Sequence, residues 1–294
     1  MLLRFIATLI VLGVPLNAAD PIVSSEGFKS GVITTSDGIR LQYLESGIGP
    51  AVLFVPGWTG AAEFWAPQLR LFSRSWRTVA LTPRSQGESE KTNEGNHTER
   101  RARDIFETIE QLKLSRVVLV AWSRGVLESM SLVEQFGTTS LAAIVLVDGT
   151  LVRDITPENA RRFNEAARAM LANRKRYVSE QVPGMFQKPH PQDVYDRIAE
   201  ANLKTPTPIA IALQADSLVL DSRPALRKID RPTMFVNRAG PGAVALASIV
   251  RNELPSARLE VMEGVGHALF LDDIERFNAI LGDFMRTISK TSNP

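Results

Sequence analysis

The sequence contains no cysteine, and that absence removes disulfide bridges, a thiolate nucleophile and thiolate metal sites from consideration. Histidine is scarce: His97, His190 and His267 are the whole supply of imidazole for acid–base or metal chemistry. An excess of one charge is missing too. With 34 Lys and Arg against 32 Asp and Glu, the formal charge of +2 is too small a field to steer nucleic acid or an anionic membrane. The expected partner is therefore an uncharged or weakly charged small-molecule substrate. No hydrophobic run reaches the roughly 20 residues that a bilayer span needs. The longest, Phe5 to Leu16, follows Arg4 and ends in the small residues Asn17-Ala18-Ala19. That pattern predicts a secretory signal peptide over residues 1–19, a secreted or periplasmic chain, and no stable membrane span once the leader is removed.

What is present is enough apolar material, 44% of 294 residues, to fill the core of one large domain. Short β-branched runs recur at Ala51 to Val55, Arg77 to Leu81, Val117 to Trp122, Ala143 to Asp148, Thr233 to Asn237 and Arg258 to Met262. Segments of helical period lie between them, at Glu99 to Leu112, Val126 to Phe136 and Val244 to Leu254, with a last one from about Asp273 to Thr287. Such alternation predicts a parallel sheet covered by helices on both faces. Gly31 to Ser36 and Ile39 to Ser46, joined at Asp37-Gly38, predict an antiparallel hairpin at its edge. The alternation breaks between Thr150 and Lys228, where charged helical segments follow one another without a strand. The division expected is a core of residues 20–149 and 229–294 with a helical cap, 150–228, inserted into it.

Chemistry concentrates where the run Val117 to Trp122 meets Ser123-Arg124-Gly125 and then a helix. A strand turning sharply into a helix through Ser is the context of a nucleophile elbow, whose tight turn needs small residues two before and two after the Ser. Ala121 and Gly125 satisfy that requirement. The plainer alternative is a Ser that simply N-caps the helix. A nucleophilic Ser needs a base. His97 lies in a polar stretch at a helix start and His190 between two prolines of the cap. His267 follows the last strand on a loop flanked by Gly264 and Gly266, which can carry an imidazole back over the sheet edge.

With these motifs the chain resembles the α/β-hydrolase superfamily, in particular the branch of small esterases and cofactor-free, non-heme chloroperoxidases. The stretches that carry the resemblance are Phe54-Val55-Pro56-Gly57-Trp58, Thr82-Pro83-Arg84-Ser85-Gln86-Gly87-Glu88-Ser89, the Ser123 elbow, Glu134-Gln135-Phe136-Gly137-Thr138 and Gly266-His267-Ala268-Leu269-Phe270. It implies a doubly wound, mostly parallel eight-stranded sheet with an inserted helical cap. It also implies a Ser123 nucleophile, a His267 base and an oxyanion hole made by the backbone N–H groups of Trp58 and Arg124. No metal or organic cofactor is implied.

Three departures stand out. The family's His before Gly57 is Pro56 here. The second stretch has Thr82 and Ser85 where Asp and Gly are usual. The family's acid usually follows the strand equivalent to Thr233 to Asn237, and Asn237-Arg238-Ala239-Gly240-Pro241-Gly242 holds no carboxylate. Asp148, ending the strand next to the nucleophile strand, is the first candidate for that acid, against a turn Asp in Asp148-Gly149. Asp154, Asp272 or no acid at all are the fallbacks. Arg124 either meets a substrate carboxylate or pairs with Glu128 one helical turn on. Trp58, Phe64, Trp65, Trp122, Met185 and Phe186 are candidate pocket walls, although aromatics at such spacing also build cores. The expected activity is hydrolysis of a carboxylic ester or lactone. The alternatives are a perhydrolase or haloperoxidase-like activity on the same residues, or a non-catalytic binding module, which Pro56 and the displaced acid favour.

Overall fold

In the computed structural model, residues 22–153 and 155–291 are described; the leader expected at residues 1–19 and Asp154 lie outside them. The chain opens with a hairpin of β1 (Lys29–Thr34) and β2 (Arg40–Ser46), followed by β3 (Ala51–Val55), α1 (Ala66–Phe72) and β4 (Arg77–Leu81). Then come α2 (Thr98–Gln111), β5 (Val117–Trp122), α3 (Arg124–Phe136) and β6 (Leu141–Val147). A largely helical stretch follows: β7 (Val152–Arg153), α4 (Pro157–Ala172), α5 (Arg174–Gln181), α6 (Gln192–Leu203), α7 (Thr207–Asp216) and β8 (Leu220–Asp221). The chain returns through α8 (Arg223–Arg227) to β9 (Thr233–Arg238), α9 (Pro241–Glu253), β10 (Arg258–Met262), α10 (Leu269–Asp272) and α11 (Ile274–Thr291).

Eight strands form one sheet in the order β1-β2-β4-β3-β5-β6-β9-β10. The β1–β2 and β2–β4 pairs are antiparallel and the rest parallel, which is the mostly parallel α/β sheet the alternation predicts. Strands β3, β5 and β6 are buried along their whole length, so their unbroken apolar runs are explained by helices on both faces. Alternate residues divide between the two layers: Val118 and Val120 enter one core with Phe54 and Trp65, Leu119 and Ala121 the other with Leu53 and Met130.

Local chemistry explains the element ends. In the hairpin, Gly38 at φ +85° occupies the left-handed region, and its N–H donates to Thr35 O (2.8 Å). That turn stops β1 at Thr34, two residues short of the expected Ser36. α4 starts on Thr156, whose hydroxyl accepts from Asn159 N, with Pro157 in the first turn. α3 and α9 begin earlier than their apolar periodicity suggested, because the elbow turn and Pro241 nucleate them.

Strand-free helical segments were expected between β6 and β9, and this needs correcting. β7 and β8 pair antiparallel, and Ser222 N–H to Leu151 O (2.8 Å) extends the pairing. The two ends of the helical stretch are thereby tied together beside the end of β6. Among the described residues no helix is long and apolar enough to cross a membrane.

Candidate active site

The chain enters β3, moves outward to β4, then returns to the other side of β3 as β5, so the loops leaving β3 and β5 diverge at one point of the sheet edge. Ser123 stands there, directly after β5. Its backbone is held at φ 56°, ψ −116°, a strained conformation for a residue with a Cβ. Its side chain makes no capping hydrogen bond to α3, so the simple N-cap reading does not describe it. Gly125 is required by contact, since a Cβ there would lie 2.9 Å from the carbonyl oxygens of Val55 and Pro56.

His267 follows β10 and turns its ring over the sheet edge. Its Nε2 lies 2.9 Å from Ser123 Oγ and its Nδ1 2.6 Å from Asp148 Oδ2. The ring orientation is fixed from outside this chain of bonds as well. Trp122 Nε1 donates to His267 O (2.9 Å), and the Trp122 ring lies 5.0 Å from the imidazole. Asp148 directly follows β6, at φ 42°, with its N–H bonded to Val236 O at 2.9 Å. Its Oδ1 accepts from Arg238 N–H (3.2 Å) and Asn237 Nδ2 (3.5 Å), while Arg238 Nε approaches Oδ2 at 3.3 Å.

The structure therefore brings Ser123, His267 and Asp148 together and keeps the fallback Asp272 apart. Asp272 accepts instead from Gly266 N–H (2.6 Å), Gln187 N–H (2.8 Å), Lys188 N–H (3.1 Å) and the His190 ring (3.1 Å). Burial pushes its carboxyl up, yet these backbone donors and His190 hold it below the ordinary aspartate value. Asp272 thus anchors the His267 loop to the helical stretch. Gly266 lets that loop pass so near that a Cβ would meet Met185 O at 2.4 Å. His97 precedes α2 and pairs with Glu99 at 2.9 Å, outside the Ser123–His267–Asp148 chain of contacts.

The loop after β3 comes equally close on the other side. A Cβ on Gly57 would lie 2.8 Å from Ser123 Cβ and 3.3 Å from its Oγ. The Trp58 backbone is thereby set beside the nucleophile position, while Arg124, first residue of α3, has an N–H with no intrahelical acceptor. A buried polar chain supports both. Gln86 Nε2 donates to Gly57 O (3.1 Å) and Gly60 O (2.5 Å), and Gln86 Oε1 accepts from Arg101 (2.7 Å). Arg101 and Arg124 share Glu128 Oε1 at 2.6 and 3.1 Å, and Arg124 continues to Asp216 of α7 at 2.6 Å. The Glu128 pairing of Arg124 is therefore present, and its guanidinium is committed to protein carboxylates. Gln86 does the bracing of the Gly57 loop that Pro56 cannot. Breaking one member of such a buried chain leaves a charge unpaired, at about 3–5 kcal/mol. Gln86 stands in a stretch that carries the resemblance but drew no role from it, and Arg101 and Asp216 had no signal of their own in the sequence, because the pairing shows only in the fold.

A cavity of about 1070 Å³ lies over Ser123 and His267. Trp58, Phe64, Trp122, Met185 and Phe186 line it. Trp65 does not: it is fully buried and stacks on Phe270 at 4.1 Å, a core residue rather than a wall. Trp58 is held by its Nε1 donating to Ala210 O (2.8 Å) and by Arg174 stacked 5.1 Å over its ring. Among the described residues no group of three or more His, Asp and Glu converges as metal ligands would.

A sequence profile of the alpha/beta hydrolase family matches residues 52–280, most of the chain. The chain belongs to that family. It is 26% identical over 274 residues, 86% of this chain and 98% of the other, to the non-heme chloroperoxidase CPO-A1 of Kitasatospora aureofaciens. It is 24% identical over 239 residues, 78% of this chain and 85% of the other, to the 2-(acetamidomethylene)succinate hydrolase of Mesorhizobium japonicum. The fold superposes on the esterase EaEST of Exiguobacterium antarcticum with a TM-score of 0.80 at 22% identity, covering 87% of this chain and 98% of that one. The bromoperoxidase of Bacillus anthracis gives a TM-score of 0.81 at 17% identity, covering 88% and 100%.

Proposed function

We propose that this protein is a serine hydrolase that cleaves a small carboxylic ester or lactone through an acyl-enzyme on Ser123. The observation that carries this reading is the continuous chain Asp148–His267–Ser123, with contacts of 2.6 and 2.9 Å, at the floor of a roomy cavity. His267 Nε2 takes the Ser123 proton as Oγ bonds to the ester carbonyl carbon, and Asp148 stabilises the imidazolium that forms. The carbonyl oxygen gains the negative charge and is held by the Trp58 and Arg124 N–H groups. Collapse expels the alcohol, which leaves with the proton from His267. Water then repeats the sequence on the acyl-enzyme and frees the acid.

A second outcome uses the same acyl-enzyme. Hydrogen peroxide in place of water would release a peracid, and the names of the chloroperoxidase and bromoperoxidase relatives favour testing it. A serine-directed fluorophosphonate should label wild type at Ser123 and leave Ser123→Ala unlabelled, and short-chain esters or lactones should be turned over by the first and not the second. A folded wild type that neither reacts with the probe nor cleaves any member of the panel is a binding module, and the proposal fails.

A further inference from the structure

The overall charge near zero says nothing about the charge inside the cavity, and there the balance is uneven. Five side chains lining it carry charge: Arg124, Asp148, Arg153, Glu180 and Arg238. Four are neutralised within the protein. Arg124 pairs with Glu128 and Asp216, Arg238 with Asp148, and Glu180 with Arg176. Arg153, on β7 just beyond Asp148, has no carboxylate within reach among the described residues. Among the described residues its guanidinium makes one hydrogen bond, from Nη1 to Ser217 O at 3.2 Å.

That guanidinium is half-buried, and burial holds its pKa below the ordinary arginine value, with no anion among the described residues to offset it. It stays protonated at neutral pH regardless. A partly desolvated cation presents several donors in a fixed fork, the geometry that a carboxylate fills with two hydrogen bonds. Asn237 and Gln181 also line the cavity, and their Oδ1 and Oε1 are buried without a partner among the described residues.

From the shared cavity and the missing counter-charge we infer that the preferred esters carry a second, free carboxylate, bound by Arg153 while Ser123 attacks the ester carbonyl. The inference rests on the serine-hydrolase reading and narrows its substrate class to hemiesters of dicarboxylic acids. Arg153 acts as a specificity residue. It takes no part in bond making.

The test compares ethyl hemiesters of dicarboxylic acids of graded length with ethyl alkanoates of matching length, by kcat/KM in a pH-stat. Wild type should prefer the best hemiester by about tenfold or more, the range of a hydrogen bond to a charged group. Arg153→Gln should collapse that ratio towards one, through KM, and Arg153→Lys should restore part of it. A wild type without hemiester preference, or an Arg153→Gln variant that lowers both substrate types alike, overturns the inference. Calorimetry of the free dicarboxylates on Ser123→Ala gives a readout independent of turnover. Arg153-dependent binding there supports the site even if no ester is cleaved, and its absence at millimolar ligand removes the site even if esters are.

Discussion

Asp148→Asn isolates the contribution of the acid, because the two side chains have the same shape. In the wild-type geometry Asp148 Oδ1 faces the N–H of Arg238 at 3.2 Å and Oδ2 faces His267 Nδ1 at 2.6 Å. An asparagine keeps its carbonyl toward Arg238 N–H and must then present its NH₂ to Nδ1. Nδ1 becomes an acceptor, the ring proton moves to Nε2, and Ser123 Oγ, 2.9 Å away, meets a donor instead of a base. The imidazolium also loses its counter-charge, with Arg238 Nε left beside it. We expect kcat to fall by about 10²–10⁴, or roughly 3–5 kcal/mol of transition-state stabilisation. The loss of a single hydrogen-bond partner should lower stability by only about 1–3 kcal/mol. The assay is kcat on a short-chain ester at saturating substrate, with the folded fraction followed by circular dichroism. A folded variant within about threefold of wild type would mean that Asp148 merely closes its turn and that Ser123 and His267 act as a dyad.

Gly57→Ala should lower kcat by at least about tenfold with a modest loss of Tm, because its methyl would lie 2.8 Å from Ser123 Cβ and either the Trp58 amide or the nucleophile must move; near wild-type kcat would detach the Trp58 amide from the reaction. The acid limb of stability should depend on Asp37. Burial raises its pKa, but hydrogen bonds from Arg84 and Thr35 outweigh this and bring it from 3.8 to about 2. Its stabilisation is therefore present above the unfolded value and lost as pH falls from about 4 to about 2, so Asp37→Asn should lower Tm at neutral pH and flatten its decline across that window. A parallel downward shift at every pH would contradict the linkage. Expressed with its leader, the chain should appear outside the cytoplasm with a new N-terminus near Ala18 to Asp20, and N-terminal sequencing that finds Met1 would refute export.

Much of the architecture was legible because the signals are local. The run Ala51 to Val55 coincides with β3, since a strand buried on both faces must be apolar throughout, and Arg258 to Met262 coincides with β10, a largely uncovered edge strand that alternates polar and apolar residues. The Ser123 elbow was legible because its small flanking residues answer contacts that any such turn makes. The β7–β8 pair was not, because two-residue strands carry no period and form only when the ends of a long excursion meet. Trp65 was misplaced as a wall, since nothing in composition distinguishes an aromatic facing a cavity from one stacked on Phe270. Arg153 was passed over for a like reason: a guanidinium draws notice only when its surroundings are seen to lack an acid.

The displaced acid shows how these levels join. In the resemblance, the end of the strand equivalent to β9 supplies the carboxylate, and here that end, Asn237-Arg238, carries none. It has not left the site. Because β6 and β9 are parallel neighbours, with Val147 registered against Val236, the residues that follow each strand emerge side by side at the same edge. In the proposed mechanism Asp148 takes the acid's place from the end of β6, with Arg238 N–H, Arg238 Nε and Asn237 Nδ2 of β9 as its hydrogen-bond and charge partners. The exchange also explains the positive φ of Asp148. An extended backbone would carry its side chain past the sheet edge, whereas φ 42° turns it toward β9 and within 2.6 Å of His267. On that proposal, moving the acid one strand over needs a strained turn at the new position and donors at the old one, and Asp148 at φ 42° and the Asn237 and Arg238 donors match those two needs.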